Sequence, residues 1–169
     1  MAMTRILNAL CDAMTGFAKF VIAMLIAGIV AITIAAVHWR YVLNAPLAWP
    51  EQVSRILFVW VTFIGAAVLY RERLHIAIDM FVLMMPKRLQ AVLFWIVDLL
   101  VMLFCLIMLV FGAKLSFDVW DNSFGALDIT PASFYLAAPV SAAMMIVFFV
   151  EKIFDPSKRV SSGAPATLL

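Results

Sequence analysis

Four apolar stretches separated by short polar turns set the pattern of this chain. The first follows Lys19, where Phe20 to Val37 is eighteen residues without a charge. About 20 apolar residues in a helix rising 1.5 Å each cross the roughly 30 Å hydrocarbon layer of a bilayer. A span is therefore predicted over about 18–38. His38, Trp39, Arg40 and Tyr41 close it with the aromatic and cationic side chains that favour the lipid boundary. Asn44, Pro46 and Pro50 then form a tight polar turn. Only the fifteen residues between Arg55 and Arg71 are free of charge in the second stretch, but its helix is predicted to begin earlier. Pro50 suits a first helical position, and Glu51 suits the positive end of the helix dipole. From Pro50 to Tyr70 the helix then reaches about 31 Å, and the span is predicted over about 50–71. Glu51 and Arg55 stand one turn apart in the favourable Glu-to-Arg order, on stems long enough to reach the interface.

The third span is predicted over about 89–113 and the fourth over 131–150. Thr130 and Pro131 supply an N-cap and first-turn signature for the last one, and Pro139 predicts a kink in it. Ahead of the first span, Met3, Ile6, Leu7, Leu10, Met14 and Phe17 recur at spacings of three and four, with Arg5, Asn8 and Asp12 largely on the other side. That periodicity predicts an amphipathic helix over about 3–17, lying in the interface plane; the plain alternative is a frayed tail. The run after Lys19 is longer than a signal-peptide core, so it is expected to remain as a span. Residues 75–85 are half apolar and are expected to lie on the membrane surface, ended by Pro86. Residues 153–169 read as a polar cytoplasmic tail.

These elements predict an all-α integral membrane protein: one domain, 1–152, of four transmembrane helices with an N-terminal interfacial helix. With the N-terminus inside, the cytoplasmic segments hold Arg5, Lys19, Arg71, Arg73, Lys87, Arg88, Lys152, Lys158 and Arg159. That leaves three of the twelve Lys and Arg residues outside, namely Arg40, Arg55 and Lys114. The positive-inside rule then puts both termini in the cytoplasm.

Composition agrees. Of 169 residues, 67% are hydrophobic and 13% charged, against about 45–50% and 25% in a soluble domain. A net charge of +2 without a basic stripe argues against nucleic-acid binding. Cys11 and Cys105 are too few for a disulfide framework or a four-cysteine zinc site and read as packing residues. His38 and His75 fall at opposite membrane faces, so they cannot share a haem iron. No cofactor is expected. Gly28, Gly65 and Ala66 read as notches where helices approach closely. Asp98, ten residues past Arg88, is expected near the midplane, and an ionisable residue there is a candidate for proton or ion movement. The plainer reading is a protonated or hydrogen-bonded carboxyl, because one acid with no second polar group in any span makes a poor pathway. No span has the broken middle from which transporter sites are built. An autonomous homo-oligomeric transporter or channel using Asp98 is thus the alternative to a chain that transports nothing by itself.

The polar residues flanking the second span carry a resemblance. Arg40, Tyr41 and Asn44; Trp49 and Glu51; Arg55; Trp60; Gly65, Ala66 and Ala67; and Arg71, His75, Ile76 and Asp79 occur in this order, followed by Tyr135, Ala137 and Pro139. In this the chain resembles the small membrane subunit of tripartite ATP-independent periplasmic (TRAP) transporters, over roughly residues 15–152. Gln52 stands where that family usually has a second glutamate, and Leu74 where a glycine often precedes the His-Ile pair. The resemblance implies a non-catalytic inner-membrane subunit paired with a large TRAP membrane subunit. That partner would hold the sodium and organic-acid sites and move as an elevator, fed by a periplasmic substrate-binding protein. It further implies a buttressing role among membrane lipids. Arg40, Asn44, Trp49, Glu51 and Arg55 would then form a hydrogen-bonded outer corner facing the partners, and His75 and Asp79 an inner corner.

Overall fold

The computed structural model describes residues 2–72, 86–123 and 127–154, and its elements are all helices. They are α1 (Ala2–Tyr41), α2 (Trp49–Glu72), α3 (Lys87–Asp118), the single turn α4 (Ala132–Tyr135) and α5 (Ala137–Phe154). Four stretches are long and apolar enough to cross a membrane: Arg5–Tyr41, Trp49–Glu72, Trp95–Asp118 and Ala132–Phe154. The four expected spans are therefore present. The surface segment expected over 75–85 lies outside the described residues, as does the tail from 155 onward.

The amphipathic helix expected over 3–17 is not a separate element. It is the first part of α1, which runs unbroken for 40 residues, about 60 Å. No proline interrupts it, and Gly16 alone does not stop a helix. The buried stripe is also rotated from the expected one. Cys11, Thr15 and Ala18 are buried, with Leu7 and Met14 packed beside them, while Ile6, Leu10 and Phe17 are exposed. Without water to drive apolar faces together, small side chains that let backbones approach decide which stripe packs.

Two other ends differ from expectation. α3 continues past Lys114 to Asp118, because one charge at a helix end does not break the backbone ladder. α5 continues past Val150 through Lys152 to Phe154. At the start of the fourth span no side chain caps α4; instead the Thr130 carbonyl accepts from the Ser133 amide (3.0 Å) and hydroxyl (2.9 Å). α4 and α5 meet at Leu136, which keeps helical dihedrals (φ −61°, ψ −25°) and donates its amide to the Ala132 carbonyl. Pro139 has no N–H to give the Tyr135 carbonyl, and the ladder resumes with the Val140 amide on the Leu136 carbonyl at 3.2 Å.

Among the described residues the helices pack as an open arrangement rather than a closed ring. α1 lies on α2, α2 on α5, and α5 on α3, with α1 also touching α5. Among the described residues α3 packs on α5 and α4, with no comparable contact to α1 or α2. Cys11, Ala67, Tyr70 and Phe148 form one core cluster, while Ala18, Ile64 and Val68 form a second. Of the expected notches, a methyl group at Gly28 would stand 3.5 Å from Leu57 Cδ1, an ordinary contact, and one at Gly65 would find nothing within 4 Å. Ala66 is half-buried, and it is Ala67 that is fully enclosed. Among the described glycines the tightest approach is at Gly112, where a methyl group would stand 3.1 Å from Pro139 Cδ.

Candidate functional site: a charge cluster joining four helices

The last turn of α2 carries Arg71 into the angle between α1 and α5. Its guanidinium grips Glu151 with two parallel bonds, Nε to Oε2 at 2.9 Å and Nη2 to Oε1 at 2.8 Å. Nη2 also donates to Asp12 Oδ1 at 2.6 Å, and Nη1 to Thr15 Oγ1 at 2.8 Å. The Phe148 ring covers the cation, 5.4 Å from its centre. Glu151 is only 2% exposed and the Arg71 side chain 13%, so each ion depends on the other for solvation. The planar fork of Arg matches a carboxylate in this two-bond geometry, which a lysine cannot reproduce. Thr15 is placed to accept because its own hydroxyl donates to the Cys11 carbonyl at 2.9 Å. One turn further along α1, Lys19 pairs with Glu72 at the end of α2.

The next residue on α5, Lys152, turns toward α3 and donates to both carboxylate oxygens of Asp98, with Nζ 2.6 Å from Oδ1. It also stands 5.9 Å from the centre of the Tyr70 ring on α2. Lys152 thereby ties Asp98 to the part of α5 that also holds the Arg71 cluster. Asp98 is not the lone polar group that the sequence indicated. Its partner belongs to an extra turn of α5.

At the opposite end, Arg55 Nη2 meets Glu51 Oε1 at 2.9 Å in an exposed one-turn pair. Arg40 and Asn44 are exposed and Trp49 half-buried; Asn44 adopts a left-handed backbone conformation (φ 49°) that turns the chain toward α2. Among the described residues Glu51–Arg55 is the pair of the expected outer corner that the structure joins. Trp60 instead ties α2 to α4, its indole N–H donating to the Ser133 carbonyl at 2.9 Å. His75 and Asp79 lie outside the described residues.

Sequence reasoning missed Asp12, Thr15, Glu151 and Lys152 as a group, and took Arg71 as a basic flank and as part of the family resemblance without giving it a partner. The available signal was a Glu-Lys pair directly following an apolar run of about 20 residues, where two charges at the edge of lipid require partners. Chemically, the cluster holds helices together. Asp12 and Glu151 share Arg71, and Asp98 pairs with Lys152. No three His, Cys, Asp or Glu side chains among the described residues converge in a metal-binding arrangement.

Comparison with known proteins bears on this arrangement. Residues 29–159 match the family described as tripartite ATP-independent periplasmic transporters, DctQ component. A Haemophilus influenzae protein carrying the name TRAP transporter small permease protein is 30% identical over 107 residues, covering 63% of this chain and 66% of that one. The sialic acid TRAP transporter permease protein SiaT of the same species is 31% identical over 140 residues, 82% of this chain but 23% of SiaT. The sialic acid TRAP transporter small permease protein SiaQ of Vibrio cholerae is 26% identical over 146 residues, 83% of each. The chain thus spans about two thirds of the first relative and under a quarter of the second.

Proposed function

Because this chain belongs to the DctQ component family of tripartite ATP-independent periplasmic transporters, we propose that it buttresses the fixed scaffold of a large, elevator-type permease subunit. It is a multi-pass membrane protein with no catalytic role, and its contribution is apolar helix surface held in a set arrangement. The observation that carries this reading is the family match, together with intramembrane charges that pair with one another. Among the described residues Asp12, Asp98 and Glu151 are engaged by Arg71 and Lys152, which speaks against an ion pathway of the kind first considered for Asp98.

The cargo is an organic acid taken up with sodium, both held by the large subunit. Two relatives are named for sialic acid, itself a carboxylic acid, which supports that class. The SiaT relative is more than four times longer than its matched segment, as expected if small and large subunits work side by side. Both termini face the cytoplasm, following the distribution of Lys and Arg. Arg40, Asn44, Trp49, Glu51 and Arg55 then face outward toward the large subunit and the periplasmic binding protein.

Reconstitution tests this. Proteoliposomes with this chain, the large subunit and the binding protein are expected to take up labelled carboxylates under a sodium gradient. Liposomes with this chain alone are expected to take up none. Uptake by the chain alone, abolished in Asp98→Asn, would instead establish the autonomous transporter.

A further inference from the structure

α5 carries two consecutive charges of opposite sign, and they serve different neighbours. Glu151 turns to Arg71 on α2, which is also held by Asp12 on α1, whereas Lys152 turns to Asp98 on α3. Successive side chains leave a helix about 100° apart, so one dipeptide addresses two flanks. We propose that Glu151–Lys152 is a two-sided key that fixes the order of the helices around α5: the flank with Glu151 accepts only the cationic end of α2, and the flank with Lys152 only the anionic start of α3.

Lipid tails are as apolar as leucine, so apolar contact distinguishes poorly between one long greasy helix and another. α1 and α3 are both such helices. A wrong arrangement with α3 on the Glu151 flank would bring Asp98 against Glu151 and leave Arg71 and Lys152 without their carboxylates. Excluding a competitor by like charge and unpaired charge is how specificity is commonly built. Fixing register and partner is also the best-attested use of a buried ionic group. α3 has most need of the device, because α5 and the single turn α4 are its packing partners among the described residues. Arg71, Asp98, Glu151 and Lys152 are positioning residues in this sense.

The test uses a native reporter across the α3–α5 joint, where Cys105 Sγ lies 3.4 Å from Met145 Sδ. Met145→Cys in a Cys11→Ala background leaves one cysteine on each helix, and a protease site inserted within residues 119–131 makes the cross-link visible as retained halves. In native membranes with a short bis-thiol reagent, Lys152→Glu or Asp98→Lys is expected to lower the cross-linked fraction roughly fivefold, the scale of one interhelical polar contact. The matched reversal Asp98→Lys/Lys152→Glu is expected to restore it. The crossed double of the same net charge, Asp98→Lys/Arg71→Glu, is expected not to. Undiminished cross-linking in the single reversals overturns the key, as does equal recovery by the crossed double. A matched reversal no better than its single parents, in cross-linking or in accumulation, overturns it as well. The measurement needs this chain alone, so it stands apart from the transporter reading.

Discussion

At the scale of single residues, the account turns on the difference between buried and exposed ion pairs. Removing one partner of a buried pair strands the other charge, which costs about 3–5 kcal/mol. Arg71→Ala leaves Glu151 in that position, so a large fall in thermal unfolding midpoint in mild detergent is expected. Arg71→Lys keeps the charge without the fork and should fall between. An Arg71→Ala midpoint equal to wild type would contradict the cluster's role. Glu51→Ala breaks a pair whose side chains are 83% and 61% exposed, and exposed pairs contribute little. It should leave the midpoint unchanged while lowering complex formation or uptake; unchanged uptake would remove the outer corner from the account. None of the cluster's pairings was legible in the chain. Asp12 and Arg71 are 59 positions apart, Arg71 and Glu151 80, and Asp98 and Lys152 54. Helical periodicity relates residues three or four apart, and carries nothing about partners at such separations.

At the scale of elements, the spans were legible because a run of about 20 apolar residues has few alternatives. What misled was punctuation. A change from amphipathic to uniformly apolar character near Phe17 reads as a boundary, yet the backbone ladder of α1 has no reason to break there. Lys114 reads as an end although α3 continues beyond it. The notches show the same limit, since a glycine's value depends on what lies opposite. A methyl group at Gly112 meets the rigid Pro139 ring, so Gly112→Ala should destabilise by about 1 kcal/mol or more. Gly65→Ala meets open space and should be neutral or slightly stabilising through helix propensity. Denaturation of the two variants side by side checks this, and equal effects would contradict the packing described.

At the scale of the whole molecule, an open set of helices held by charge at one end suits a subunit that offers surface rather than a site. Asp98 then matters for arrangement and not for turnover. In the complete transporter, Asp98→Asn should reduce the amount of assembled complex, while uptake per assembled complex stays at the wild-type level. Loss of uptake with assembly intact would return Asp98 to the chemistry.

The most direct test of the central claim is co-purification from mild detergent, with this chain expressed beside a large permease of the same transporter family encoded next to it. The account predicts that tagging this chain recovers the large membrane protein in a fixed ratio. A homogeneous oligomer of this chain alone, with the large protein left behind, would contradict it.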